Sequence, residues 1–171
     1  MNRRHWILSG IVLALAALPN AAPAQDDPGK SNMGQVSVTV YYATNADPKA
    51  AGAKAATVSQ ETQKRLRAEQ HLNFNSYRLL GQDVQPLLRS YESWAQPLKP
   101  SDEVLVKFEA RSLATEEMMT LDVELWLSRK KILKTDARLE GKRPLYILGP
   151  EWRGGRLIIA VALAPKPKPG S

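Results

Sequence analysis

The 171-residue sequence contains no cysteine. That excludes a disulfide framework, thiol nucleophiles, cysteine metal sites and a lipidated cysteine behind a leader. Stability must come from packing alone. Histidine is nearly absent too, occurring only as His5 and His71. A histidine metal cluster is thereby excluded. A Ser-His-Asp arrangement would have to use His71, and no serine sits in a nucleophile-elbow context. Neither a phosphate-cradling glycine loop nor a calcium-loop pattern occurs. The sequence therefore calls for no catalytic set, no cofactor and no metal.

What is present begins with the first 24 residues. Arg3 and Arg4 precede an apolar run from Trp6 to Leu18, which Pro19 and Asn20 end. Ala22-Pro23-Ala24 then supplies small residues at the −3 and −1 positions of a cleavage site. This is the three-part layout of a secretory signal peptide, and its apolar run is short for a membrane span. The expected organisation is a signal peptide at 1–24 and a disordered lead-in at 25–34. A single β-rich domain at 35–163 and a Pro/Lys-rich disordered tail at 164–171 follow. No later segment is long and apolar enough to span a membrane. The expected location is periplasmic or secreted. Lys and Arg number 24 against 17 Asp and Glu, a formal net charge of +7. This moderate excess suits acidic partners. It does not call for nucleic acid, which an exported protein seldom meets.

Hydrophobic alternation carries most of the fold information. Val36, Val38, Val40 and Tyr42 alternate with Gln35, Ser37, Thr39 and Tyr41, which predicts a half-buried strand. A helix is expected from about Thr57 to His71, capped by Thr57 or Ser59, with Val58, Thr62, Leu66 and Leu72 in one thin stripe. His71 then complements the last carbonyls of that helix. Short strands follow at Tyr77–Leu80, ended by Gly81, and at Val84–Ser90, where Pro86 suits an edge. Val104 to Ala110 and Leu121 to Leu127 show the clearest alternation. Ile132–Leu139, Leu145–Leu148 and Leu157–Leu163 complete the set, with a hairpin-type loop over Gly149–Gly155. The fold class is α+β and β-rich, an antiparallel sheet or sandwich of about seven or eight strands with one helix after the first strand. On this phase Leu125 faces the core while Glu124 points outward, so Glu124→Ala is expected to be nearly silent.

Two constellations could carry chemistry. Asp122 and Glu124 share an outward strand face beside Trp126, an arrangement able to hold a sugar, whereas a solvated face needs no function at all. Glu116 and Glu117 precede that strand in a loop. Basic residues are the second. Arg129, Lys130, Lys131 and Lys134 surround one predicted turn. Arg138, Lys142 and Arg143 surround the next, and Arg153 and Arg156 flank Gly154-Gly155. Tips sharing one end of a sheet would form a positive rim. The alternative is solubilising charge that protects strand edges. Trp152 is either an interface anchor at a loop tip or a lid over the end of the core.

The order of helix, Phe74-Asn75-Ser76-Tyr77-Arg78-Leu79-Leu80, strands, Leu145-Tyr146-Ile147-Leu148-Gly149-Pro150 and Leu157-Ile158-Ile159-Ala160-Val161 resembles small exported bacterial β-rich proteins of unknown function. The resemblance spans most of the chain beyond the leader and implies no catalytic residues. The strand-Gly-strand ending is also similar to β segments of outer-membrane secretins, without their length or second glycine.

The expected function is that of an exported, non-enzymatic binding or assembly module of the bacterial cell envelope, an accessory of a secretion or envelope machine with an envelope protein as partner. The expected binding residues are Trp152, Arg153, Arg156, Arg129, Lys130 and Lys131. A second reading is a binder of anionic envelope polymer or lipid headgroups through the basic rim. A third is a carbohydrate-acting hydrolase using Asp122 or Glu124.

Overall fold

The computed structural model describes residues 26–111, 118–141 and 143–164. The segments expected to be a signal peptide and a Pro/Lys-rich tail, together with Glu116, Glu117 and Lys142, lie outside the described residues. Among the described residues nine strands form two antiparallel sheets. The first sheet has the order β2-β3-β1-β9-β8, with β1 at Asn32–Thr44, β2 at Ala56–Thr57, β3 at Ser76–Leu88, β8 at Leu145–Trp152 and β9 at Gly155–Ala164. The second has the order β4-β5-β6-β7, with β4 at Ser93–Ala95, β5 at Val104–Ala110, β6 at Met118–Leu127 and β7 at Lys130–Glu140.

The period-two pattern explains why the sheets stack. Val36, Val38 and Val40 on β1 and Leu157, Ile159 and Val161 on β9 face Val106 and Phe108 on β5 and Leu121, Val123 and Leu125 on β6. These residues form one buried cluster shared by both sheets, the core of a β-sandwich. The opposite face of the larger sheet is partly covered by helix α1, Gln60–Ala68. Leu66, with Val58 and Leu72 flanking the helix, packs on Ala43, Tyr77 and Ile158 in a second, smaller cluster. One buried helical residue is all that the thin apolar stripe can supply, so α1 lies on the surface. Its N-terminus is set by Ser59, whose side chain accepts a hydrogen bond from the Thr62 backbone. It ends earlier than expected, and exposed His71 sits in a separate 3-10 turn over Gln70–Leu72.

Three expectations are corrected. The disordered lead-in is not seen over residues 26–34. A 3-10 turn at Pro28–Lys30 follows Asp27, and β1 already begins at Asn32. Tyr91 Oη donates to Asp27 Oδ2 at 2.6 Å, and the Ser90 and Arg89 amides donate to the carbonyls of Gly29 and Ser31, which ties the segment down. Second, the two strands expected around Gly81 are one. Gly81 does not end a strand; it lets the chain pass close to Pro97, whose carbonyl oxygen would lie 2.1 Å from any Cβ there. The register slip against β1 beside it is a bulge. Pro86 fits because β2 pairs with β3 only at Leu79 and Arg78, leaving the rest of that side of β3 without a strand neighbour among the described residues.

Third, the hairpin expected over Gly149–Gly155 is present, but its loop is much shorter. β8 continues through a bulge to Trp152, and only Arg153 and Gly154 form the turn, both at positive φ. Ser128 and Arg129 turn the β6–β7 hairpin in the same way. Two-residue turns with both centres at positive φ match the twist of the strands they join. Among the described residues, no helix is long and apolar enough to cross a membrane.

Candidate functional site

Strand alternation that drives one face of β5 and β6 into the core presents the other face outward. Cross-strand pairing then arranges that face in rows. One row reads Trp94, Lys107, Glu124 and Lys134 across β4 to β7. The next reads Glu109, Asp122 and Asp136. Leu105, Trp126 and Lys131 form the row on the other side.

Glu124 is the hub of the first row. Its Oε2 accepts the indole N–H of Trp126 at 3.0 Å. Its Oε1 lies 3.4 Å from Lys131 Nζ, 3.5 Å from Lys134 Nζ and 3.7 Å from Lys107 Nζ. The side chain is only 4% exposed. It points away from the sandwich core, as the alternation requires, yet the surrounding indole and lysine stems bury it. The expectation of a freely solvated Glu124 is therefore corrected: long neighbours on a flat sheet face cover a short carboxylate.

Asp122 is equally buried. Three acids directly opposite one another would destabilise the sheet, and cations offset this. Lys134 Nζ lies 3.0 Å from Asp122 Oδ2, and Arg111 donates to the same oxygen. Asp122 Oδ1 is buried with no hydrogen-bond partner among the described residues.

Burial pushes the Asp122 carboxyl up, but hydrogen bonds and charge from Lys134 and Arg111 outweigh it and hold the group below its ordinary value. Burial likewise raises Glu124, and the Trp126 indole together with Lys131 and Lys107 more than reverses it. A general acid needs the opposite shift. Neither carboxylate lines the cleft of about 450 Å³ bordered by Thr44, Phe74, Glu151 and Arg156. Nor does either line the cleft of about 140 Å³ between α1 and the sheet, which Tyr41, Arg65 and Tyr146 border.

A carboxylate whose folded pKa lies below its unfolded value stabilises the fold above the unfolded pKa. That contribution disappears as pH falls through the folded value. Asp122 and Glu124 should therefore stabilise the protein at neutral pH and lose that contribution below about pH 4. Asp122→Asn should flatten the fall of the urea midpoint between about pH 5 and about pH 2, and an unchanged slope would mean that Asp122 is not held ionised.

Beside this network stand two tryptophans, with ring centroids 5.8 Å apart and planes inclined at 55°. Trp94, 39% exposed, donates its indole N–H to Glu92 Oε1 at 3.0 Å. Each indole is thus held by the glutamate two residues earlier on its own strand side, in Glu92-Ser93-Trp94 and Glu124-Leu125-Trp126. The ammonium of Lys107 ties the two units together, 3.1 Å from Glu92 and 3.7 Å from Glu124. Lys131 lies over the Trp126 ring at 5.6 Å. Sequence reasoning found Asp122, Glu124 and Trp126 here but missed Trp94, Lys107 and Arg111. The repeated Glu-x-Trp was the available signal.

The six expected binding residues divide between two places. Arg129 and Arg153 share one end of the sandwich, because Glu103 serves both hairpins: its carbonyl accepts from the Ser128 amide at 2.9 Å and its Oε1 accepts the Trp152 indole N–H at 3.0 Å. Lys130 follows Arg129 and is exposed. This rim is partly neutralised, since Arg129 Nε lies 2.9 Å from Asp102. Arg156 turns to the Gly149 carbonyl, to which its Nη2 donates at 2.9 Å. Trp152 is half-buried edge-on against Tyr42, with ring centroids 5.8 Å apart and the Arg153 guanidinium 4.3 Å above it. It lies against the main core. Lys131 instead belongs to the Trp94–Trp126 face.

Among the described residues no group of three or more His, Asp or Glu side chains is placed to hold a metal ion. Comparison of the chain with family models, with curated proteins and with solved structures found no match.

Proposed function

We propose that this chain is an exported, non-enzymatic binding module of the cell envelope, and that its recognition surface is the outer face of the β4–β7 sheet. One observation carries the reading: Trp94 and Trp126 stand side by side on an outward sheet face, each fixed through its indole N–H by a glutamate. Tryptophan is costly to hold in water, and it is a residue type that concentrates binding energy when it meets a partner. Fixing the ring beforehand removes the ordering cost from the binding step. The three-part N-terminus supports export.

The hairpin end is the weaker surface, because Trp152 already spends its ring on Tyr42 and its N–H on Glu103. Trp94→Ala should therefore weaken capture of the envelope partner about tenfold or more while leaving the unfolding midpoint nearly unchanged. Trp152→Ala should do the reverse, lowering stability with affinity per folded molecule unchanged. Cross-linked pull-downs and denaturant titrations on the same two variants test this. Loss of binding only in Trp152→Ala would move the surface to the hairpin end.

A further inference from the structure

We infer that the β4–β7 outer face binds an acidic polysaccharide, with sugar C–H surfaces resting on Trp94 and Trp126 and sugar carboxylates meeting Lys131 and Lys134. This rests on reading that face as the recognition surface and names its ligand class. Three features lead to it.

The first is what the indoles still offer. Both N–H groups are occupied by Glu92 and Glu124, so a ligand meets ring surface alone: Trp94 is 39% exposed, and Trp126 is half-buried with Lys131 5.6 Å from its ring centroid. The ring planes are inclined at 55° and are not two parallel shelves. A puckered sugar ring, with C–H bonds on several sides, suits inclined rings better than a flat base does.

The second is the vertical order of charge. The central acids are at the bottom: the Asp122 and Glu124 side chains are 3% and 4% exposed. The cations over them reach solvent, with Lys131 at 44% and Lys134 at 54%. A ligand approaching the middle of the face meets ammonium groups first. Glu92, Glu109 and Asp136 lie around that centre, Glu92 and Asp136 at 51% and 75% exposure, and confine the positive area to Lys131 and Lys134.

The third is the surroundings of the aromatic pair. Protein interfaces have a core depleted of charge. Here Glu92, Lys107, Glu124 and Lys131 all touch or adjoin the two rings, with half-buried Leu105 as the apolar neighbour opposite Trp126. Alternating apolar and anionic groups suit this better, as in a chain of uronic acids. Single-stranded nucleic acid is the other polymer that combines stacking with negative charge.

The test uses the purified chain, with polygalacturonate as probe, its fully methyl-esterified form as the uncharged control and a thymidine oligonucleotide as the competing polyanion. Tryptophan emission should change on addition of polygalacturonate. Affinity should fall steeply from about 0.05 M to about 0.5 M NaCl, because exposed charge pairs are screened. Trp94→Ala should weaken binding about tenfold or more, and Lys134→Gln should weaken it while shallowing the salt dependence. A thermal melt matching that of the parent chain certifies each variant as folded. Should Lys134→Gln melt early, Lys131→Gln takes its place.

Equal binding of the esterified polymer, or tighter binding of the oligonucleotide, would overturn the assignment. So would polygalacturonate binding that ignores Trp94→Ala. If polygalacturonate fails to bind while envelope capture still depends on Trp94, the glycan inference falls and the recognition surface stands. If Trp94→Ala alters neither, both fall.

Discussion

Leu125→Ala is expected to lower the unfolding free energy by about 2–5 kcal/mol, the lost burial plus the cavity left behind. Leu125 is fully buried in the middle of β6, between the two sheets. With total stability of a domain near about 5–15 kcal/mol, that loss is a large fraction of the whole. A matched control lies one strand away. Ile132, 47% exposed, is the residue skipped where the β6–β7 register slips, and Ile132→Ala should stay within about 0.5 kcal/mol. Urea titrations with an unchanged slope would compare them. Equal losses would mean that the phase of β6 against the core is wrong.

Gly155→Ala is expected to destabilise by about 1–3 kcal/mol through overpacking, although it adds a single methyl to a strand. A Cβ at Gly155 would lie 2.4 Å from the Tyr42 ring and 2.5 Å from the Ala43 carbonyl oxygen. Neither neighbour can easily yield. Tyr42 is buried, donates its hydroxyl to the Arg153 carbonyl at 3.1 Å and carries Trp152 on its edge. The Ala43 backbone is held in the ladder with β9. Gly154→Ala, at the turn, meets no atom within 4 Å and is strained only by its φ of 75°. Thermal melts should rank Gly155→Ala well below Gly154→Ala, and the opposite order would show that the hairpin relaxes around position 155.

These expectations show where the sequence was legible. Alternation in Val36–Tyr42, Val104–Ala110 and Leu121–Leu127 identified strands and their buried sides, because a sheet with one face in a core must repeat every two residues. Thr57 and Ser59 were both candidate caps for the helix, and the structure uses Ser59, which starts α1 at Gln60. Glycine was read less well. Gly81 and Gly149 looked like strand ends, yet both lie inside strands where another part of the chain comes too close for a side chain. A close approach of that kind depends on a distant residue, such as Pro97 for Gly81, and leaves no local pattern.

The outer face of the β4–β7 sheet shows the same division. Asp122, Glu124 and Trp126 could be placed on one outward face from spacing alone. Whether that face was solvated could not, because the cover comes from Lys107, Arg111 and Lys134 on neighbouring strands. Trp94 showed no strand period because β4 is three residues long, and the repeated Glu-x-Trp was the one local sign of it. The basic rim depended on which hairpins share an end, a matter of topology settled by Glu103 reaching both.

A β-rich chain without cysteine chemistry, the faces of its longer strands and the presence of α1 after the first strand are thus local properties of the sequence, since each follows from contacts within a few residues. Strand order, the joining of β3 across Gly81, the burial of Glu124 and the meeting of Trp94 with Trp126 were decided only by tertiary structure. Each is a contact between segments far apart in the chain, and local periodicity does not encode which strand becomes a neighbour.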